Sequence, residues 1–322
     1  MSVHALANID FHDDYPETVD FLDEVIYGLK QEQPQISPKF FYDETGSKLF
    51  DQICQLPEYY PTRTEALILE NHSDDIAKII GKDCLLFEPG SGSSEKVRLL
   101  LDSLKPETYV PMDISKDYII EVSKDLAKEY PWLNIHAACI DFTKPLDLSF
   151  CSSNAHKVAF FPGSSIGNFE PSQAQKFLSR LTDTVGNGGG LLIGVDLKKP
   201  DHILNAAYND KRGITAKFNK NLLHRINDEL NADFDAENFT HKAFYNNEIG
   251  RIEMHLVSQT EQTINIESEK IRLDKGQTIH TENSYKYSID EFQQIASKAG
   301  FTPIDVWTDP DNLFSVHYMS VQ

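Results

Sequence analysis

Between residues 84 and 196 the apolar positions fall in short unbroken blocks, and the stretches between them repeat their apolar residues at helical spacing. Blocks at 84–88, 108–112, 134–140, 158–161 and 191–196 predict strands, and stretches at 95–104, 116–129 and 171–185 predict helices. Pro171 suits a first helical turn, and the run Gly186 to Gly190 (GNGGG) ends that helix. Strands alternating with helices imply βαβ units and a mostly parallel sheet. A further helix is predicted at 66–80, and a short amphipathic one at 17–30. The rhythm breaks at about Lys198. Residues 199–286 hold a helix around 213–230, with Phe218, Leu222, Ile226 and Leu230 spaced four apart, then alternating runs at 251–258 and 263–267 of antiparallel character. The α/β pattern resumes with a helix at 288–299 and two closing strands, 303–307 and 314–320, expected as an edge hairpin.

Charge narrows the partners. The chain has 322 residues and a formal net charge of -20, which argues against a phosphate-backbone partner because nothing neutralises it. It suits a protein that handles small molecules, cationic ones included. Cys54, Cys84, Cys139 and Cys151 have no C-x-x-C spacing, so they read as thiols in a reducing compartment and as neither disulfides nor metal ligands. The first residues are acidic without an apolar core of signal length, and no apolar run approaches the roughly 20 residues of a membrane span. A cytoplasmic protein, acting as a monomer, is expected.

The stretch LLFEPGSGSSEK, residues 85–96, reads as a buried strand, a turn through Gly90, Ser91 and Gly92, and a helix start. Glycine serves where the backbone turns tightly and a ligand comes close, and the helix start offers free N–H groups. The third glycine of a dinucleotide loop is replaced by Glu95. Asp113 closes the second strand of this series and Asp141-Phe142 the third. Ligands of open α/β sheets sit at that edge. A carboxylate after the second strand suits ribose hydroxyls, one after the third suits an adenine amino group, and Phe142 can stack on the ring. NAD and S-adenosylmethionine both fit, and the closing hairpin favours a methyltransferase by fold analogy. Upstream, Phe40, Phe41, Tyr42, Phe50, Tyr59 and Tyr60 crowd one block, either packed between helices or closing over a small-molecule site.

The segments FFYDETGSKLFDQICQLPEYYPTR, FEPGSGSSEK, VPMDIS, FFPGSSIGNFEP, AAYND, RIEMHL and TENSYKY together resemble the histidine-specific N-alpha-methyltransferases of ergothioneine biosynthesis, over nearly the whole chain from Ser37 onward. The resemblance implies a Rossmann-like class I methyltransferase sheet plus a second, α+β substrate-binding domain built from the N-terminal segment and the insertion. Placed on this chain, the substrate domain is 1–63 and 199–286, and the cofactor domain is 64–198 and 287–322. The implied reaction moves methyl groups from S-adenosylmethionine to the α-amine of L-histidine, three in succession, giving hercynine and S-adenosylhomocysteine. The cofactor positions match Gly90, Lys96, Asp113, Asp141 and Phe142. The carboxylate ligands match Asn168 and Tyr208. Tyr42, Tyr59 and the backbone of Gly163 match the positions that hold the amine, with Tyr42 and Gly163 the catalytic pair. Met254, Glu282 and Ser284 match those that read the imidazole.

Such a site makes chemical sense. Displacement at a sulfonium carbon needs no general acid, only an unprotonated amine aimed at the methyl. Tyr42 suits that task as a base or as a guide for the proton to water. Glu282 and Ser284, two apart on a strand, face one side and can reach one ring. The alternatives are an enzyme that stops after one or two transfers or prefers tryptophan, an NAD-dependent dehydrogenase, and a non-catalytic adenosyl-ligand or amino-acid sensor. The missing third glycine weighs against the dehydrogenase, and the complete set of site residues against the sensor.

Overall fold

The computed structural model describes residues 9–14, 18–151 and 153–322. In chain order its elements are β1 (Ile9–Asp14), α1 (Thr18–Leu29), α2 (Glu44–Cys54), α3 (Tyr60–Ile80), β2 (Leu85–Pro89), α4 (Glu95–Leu104), β3 (Thr108–Asp113), α5 (Lys116–Glu129), β4 (Asn134–Ile140), β5 (Lys157–Phe161), α6 (Pro171–Val185) and β6 (Gly190–Asp196). There follow α7 (Asp201–Tyr208), α8 (Ile214–Leu230), β7 (Phe239–Asn246), β8 (Arg251–Ser258), β9 (Gln262–Ile266), β10 (Glu269–Leu273), β11 (Thr278–Tyr285), α9 (Ile289–Lys298), β12 (Thr302–Thr308) and β13 (Phe314–Ser320). The chain divides into one unit of residues 1–15, 61–198 and 287–322 and another of 16–60 and 199–286.

The first unit is an α/β layer around one eight-stranded sheet of order β1-β4-β3-β2-β5-β6-β13-β12. Every strand runs parallel except β13, which is antiparallel to both β6 and β12. From β2 the chain winds outward through β3 and β4, then crosses to β5 on the other side. Strand order therefore reverses between β2 and β5, the place where such sheets hold ligands. All five residues of β2 and all seven of β6 are buried, as a sheet covered on both faces requires. On one face Leu86, Tyr109, Val158, Phe160 and Leu192 pack under Val97, Leu100, Leu101 and Leu104 of α4. These last four recur at helical spacing, which explains why the helix seats there. Helix starts are set locally: Ser288 and Glu291 form a capping box at α9, and Glu170 and Gln173 one at α6 with Pro171 in the first turn.

In the second unit β11-β8-β7 form an antiparallel sheet and β9-β10 a separate hairpin. Met254 stands opposite Glu282 and Ile252 opposite Ser284, while the register shifts between His280 and Glu282. Thr281 sits at that irregularity, and its hydroxyl lies 2.7 Å from Asn219 Oδ1 of α8 and 3.1 Å from the Met254 carbonyl. The bulge is thus pinned from one face by a buried polar side chain.

Several elements differ from the sequence expectation. Residues 9–14 form an edge strand paired with β4 and belong to the first unit, whereas the sequence reading placed 1–63 in the substrate domain. IDFHDD is short and acidic, a composition that edge strands tolerate and periodicity does not register. Helix α3 begins six residues before the predicted start, because Pro61 sits inside its first turn instead of ending the preceding segment. β7 alternates only weakly, while β10 and α7 are amphipathic but short, at 5 and 8 residues, and none of the three stood out. The first residue of the helix expected at 17–30 lies outside the described residues.

Candidate functional site

The turn after β2 is held by β3. Gly90 and Ser91 both donate to the Met112 carbonyl, at 2.7 and 2.9 Å, and Gly92 N–H donates to Asp113 Oδ2 at 3.0 Å. Asp113 Oδ1 accepts from Ser115 N–H at 2.9 Å. Burial pushes the Asp113 carboxyl up, while these backbone donors pull it down, and the net displacement is upward. Gly90 has φ +70° and Gly92 φ +51°. A Cβ on Gly90 would lie 3.1 Å from Phe142 Cε1, so a side chain there would press on that ring as well as strain the backbone. A Cβ on Gly92 would meet nothing within 4 Å, so the backbone there faces open space. The Ser91 hydroxyl is buried without a hydrogen-bond partner among the described residues. An exposed glycine backbone, an orphaned hydroxyl and a helix N-terminus are what an anionic or polar ligand group completes. Asp141 is buried, with Oδ1 accepting from Thr143 N–H at 2.9 Å, and beside it Phe142 meets Phe161 edge-on at 5.8 Å.

Beneath the loop lies an acid that the sequence reading passed over. Glu65, 1% exposed, pairs with Lys96 at 2.5 Å and accepts the Gly163 N–H at 2.9 Å. A side chain on Gly194 would collide with this carboxylate. The pair ties α3, α4 and the loop after β5 together, and removing one partner of such a pair typically costs about 3–5 kcal/mol. Its signal was legible: Glu65, Ile68 and Leu69 fall on one helical stripe, so a charge sits at a core position. Glu88 is buried too, and burial raises its carboxyl to about 8 despite the 2.5 Å bond from Tyr109. Asn168 ends a 3-10 turn, Ser165–Asn168, after Ser164 in the left-handed region at φ 57°. Ser164 Oγ accepts from Asp196 N–H at 2.9 Å, which fixes that turn to β6.

In the second unit the aromatic block is packed. Tyr42 meets Phe50 and Phe218 edge-on at 5.7 and 5.9 Å, Tyr59 meets Phe50 at 6.3 Å, and Tyr59 meets Tyr208 at 6.1 Å. Burial first, then the neighbouring Tyr208, Cys54, Glu282 and Tyr42, drive the Tyr59 hydroxyl well above its ordinary value. Tyr59 therefore keeps its proton. Tyr208 Oη lies 2.9 Å from Ser284 Oγ. Glu282 is half-buried beside Met254, which is 1% exposed. Burial raises the Glu282 carboxyl to about 7, opposed by the charge of Lys286 and by no hydrogen bond. Lys286 was also missed, although it continues the two-residue period of Glu282 and Ser284.

The predicted residues thus gather as two sets, each within one unit. Gly90, Lys96, Asp113, Asp141, Phe142, Gly163 and Asn168 lie in the first, at the carboxyl ends of β2 to β5 and the start of α4; Tyr42, Tyr59, Tyr208, Met254, Glu282 and Ser284 lie in the second. Two roles are narrowed. Lys96 is engaged by Glu65, and the Gly163 N–H is spent on the same carboxylate, which leaves the Gly163 carbonyl as the group it can offer a ligand. All four cysteines are thiols, Cys54 half-buried and the others buried, and no helix among the described residues is long and apolar enough to cross a membrane.

Residues 21–321 match the family of histidine-specific, S-adenosylmethionine-dependent methyltransferases. A histidine N-alpha-methyltransferase of Mycolicibacterium smegmatis is 39% identical over 90% of this chain and 91% of its own length. One from Mycobacterium tuberculosis is 38% identical over 89% and 90%. Ergothioneine biosynthesis protein 1 of Neurospora crassa is 31% identical over 89% of this chain and 33% of its own. The chain belongs to the histidine-specific methyltransferase family and is an enzyme that uses S-adenosylmethionine.

Proposed function

We propose, from that membership, that this enzyme methylates the α-amine of L-histidine three times, giving hercynine for ergothioneine biosynthesis, and that it works as a cytoplasmic monomer. The observation that carries the substrate is Glu282, a half-buried carboxyl that receives no hydrogen bond from a described residue. It stands beside the apolar Met254 and one strand step from the Ser284–Tyr208 hydroxyl pair. An imidazole has an apolar face, an N–H and a bare nitrogen, and this set answers each. On this reading the first unit binds the cofactor and the second reads the substrate.

S-adenosylmethionine supplies an electrophilic methyl group on a sulfonium centre. Asp113 would accept from its ribose hydroxyls, Asp141 from its adenine amino group, and Phe142 would cover the ring, with the Gly90–Gly92 turn and the Lys96 end of α4 toward its charged tail. Asn168 and Tyr208 would donate to the histidine carboxylate. The chain's own contribution to the chemistry is orientation, which in well-placed systems is worth up to about 7–11 kcal/mol. Tyr59, held in its protonated form, orients the amine and does not act as its base. The Gly163 carbonyl accepts an amine hydrogen, and Tyr42 aims the remaining lone pair. The test is mass spectrometry of L-histidine incubated with enzyme and S-adenosylmethionine. Gains of one, two and three methyl groups in sequence are expected. Accumulation of the mono- or dimethyl product as an end point would overturn the threefold reaction, and preferred methylation of tryptophan would overturn the substrate.

A further inference from the structure

Lys286 is 2% exposed, one of the largest fully buried side chains in the molecule. An ammonium so short of water must be compensated by hydrogen bonds. Its Nζ lies 2.7 Å from Ser284 Oγ and 3.4 Å from Tyr208 Oη, and 5.2 Å from the centroid of the Tyr208 ring. With the 2.9 Å Tyr208–Ser284 contact, three polar groups form a triangle. An ammonium only donates, whereas each hydroxyl has one hydrogen and lone pairs. Lys286 therefore takes a lone pair on each oxygen. One hydroxyl hydrogen is used in the bond between them, and the other has no acceptor inside the triangle.

We infer that Lys286 is a positioning residue for the substrate: by donating to Ser284 and Tyr208 it commits this hydroxyl pair to giving a hydrogen to the bound amino acid, so that the pair is a donor where Glu282 is an acceptor. This deepens the histidine reading and rests on it. The pair then recognises a lone pair on the ligand, carboxylate or bare ring nitrogen, and Glu282 recognises the ring N–H. Without the ammonium the lone pairs it occupies would be free to accept from a ligand, the pair could accept as well as donate, and the distinction would fade. The same charge opposes the neutralisation of Glu282, which also faces Tyr59.

Calorimetric titration of L-histidine with S-adenosylhomocysteine present tests this in wild type, Lys286→Met, Lys286→Arg and Ser284→Ala. Lys286→Met should weaken histidine binding at least about 10-fold, the scale of a hydrogen bond to a charged group. S-adenosylhomocysteine affinity should stay within about 2-fold, which separates a loss confined to the substrate pocket from a loss of the fold. Lys286→Arg should recover most of the affinity. The decisive arm is the Lys286→Met/Ser284→Ala cycle, because residues that act through one another are non-additive. In the Ser284→Ala background the Lys286→Met loss should shrink below about 3-fold. Unchanged histidine affinity in Lys286→Met, or an equal loss in both backgrounds, would overturn the inference. If Lys286→Met does not fold, Lys286→Gln carries the same cycle with the same two outcomes. Failure of the wild type to bind histidine at all would instead overturn the substrate reading.

Discussion

Glu282 and Glu253 belong to the same three-stranded sheet but to opposite faces, since Glu282 stands opposite Met254, the next residue along β8 from Glu253. Their surroundings differ sharply. Glu253 accepts from Arg251 Nε at 2.9 Å and Asn246 Nδ2 at 3.1 Å, and its other oxygen lies 3.1 Å from His255 Nε2. Burial works against its charge, yet these bonds together hold its carboxyl below the ordinary range. Glu282, with only the Lys286 charge to oppose burial, is raised to about 7. Glu253, His255 and His280 bring potential metal-ligand atoms within 4.8 Å of one another. Arg251 already neutralises that carboxylate, and the two imidazoles are stacked at 4.6 Å and 15°, so their in-plane lone pairs run side by side and do not converge. The Glu253 carboxylate is thus closed within that network, although His255 Nδ1 beside it is buried without a hydrogen-bond partner among the described residues. The Glu282 face leaves an acceptor open, and an open acceptor in a nearly dry place is what a substrate completes.

The largest expected effect breaks or keeps that contrast directly. Glu282→Gln should lower kcat/KM for histidine at least about 100-fold, or about 2.7 kcal/mol. Glu253→Gln should leave it within about 3-fold and instead lower the urea midpoint, because it weakens a satisfied ion pair. Equal kinetic losses in the two variants, at unchanged stability, would show that both faces serve the reaction.

Asp113 is an intermediate case. Its two oxygens already take backbone N–H groups, but its carboxyl is still displaced upward by burial. Asp113→Ala should weaken S-adenosylmethionine binding by about 2 kcal/mol, within the range for a hydrogen bond to a charged group. Histidine affinity should change far less. Calorimetry showing unaltered cofactor affinity would place Asp113 with Glu253, as an acid occupied only in holding a turn.

The contrast also explains what could be read from the chain. The parallel sheet was legible because β2, β3, β5 and β6 are buried blocks between amphipathic helices, so burial and periodicity say the same thing. The edge strand β1 and strand β7 have weak faces and were not legible. Glu282 and Ser284 could be placed on one face from their spacing, but only the β8 register puts Met254 beside Glu282. Spacing is local, whereas the Glu65–Lys96 pair joins residues 31 apart and the Tyr208–Ser284 contact residues 76 apart. Nothing in a single sequence states which distant partner a buried charge will find. What it does show is a charge at an apolar position, and Glu65 met that description, whereas Lys286 shares the polar phase of Glu282 and Ser284.

The smallest effect is one of sign, and it separates the faces without any substrate. Glu282 has a folded value of about 7, above its unfolded one, so the native state binds its proton more tightly. Its contribution is present at acid pH and is lost as pH rises toward and through 7, with a slope of at most about 1.4 kcal/mol per pH unit. Glu253 is displaced the other way, so its contribution is present above the unfolded carboxylate range and is lost as pH falls. His255 and His280 are lowered mainly by burial and stay neutral in the fold, so their protonation on acidification through the ordinary histidine range also favours unfolding. Urea unfolding of the ligand-free enzyme between pH 5 and 8 should therefore respond oppositely to two substitutions. Glu282→Gln should remove part of the stability lost toward pH 8, while Glu253→Gln should remove part of the stability lost toward acid. Histidine affinity in the wild type should rise over the same interval in which ionising Glu282 costs stability, because the form that accepts from the ring is the ionised one. If both variants bend the stability curve in the same direction, the two acids do not sit in the opposed environments described, and the reason for assigning the open face to substrate is lost.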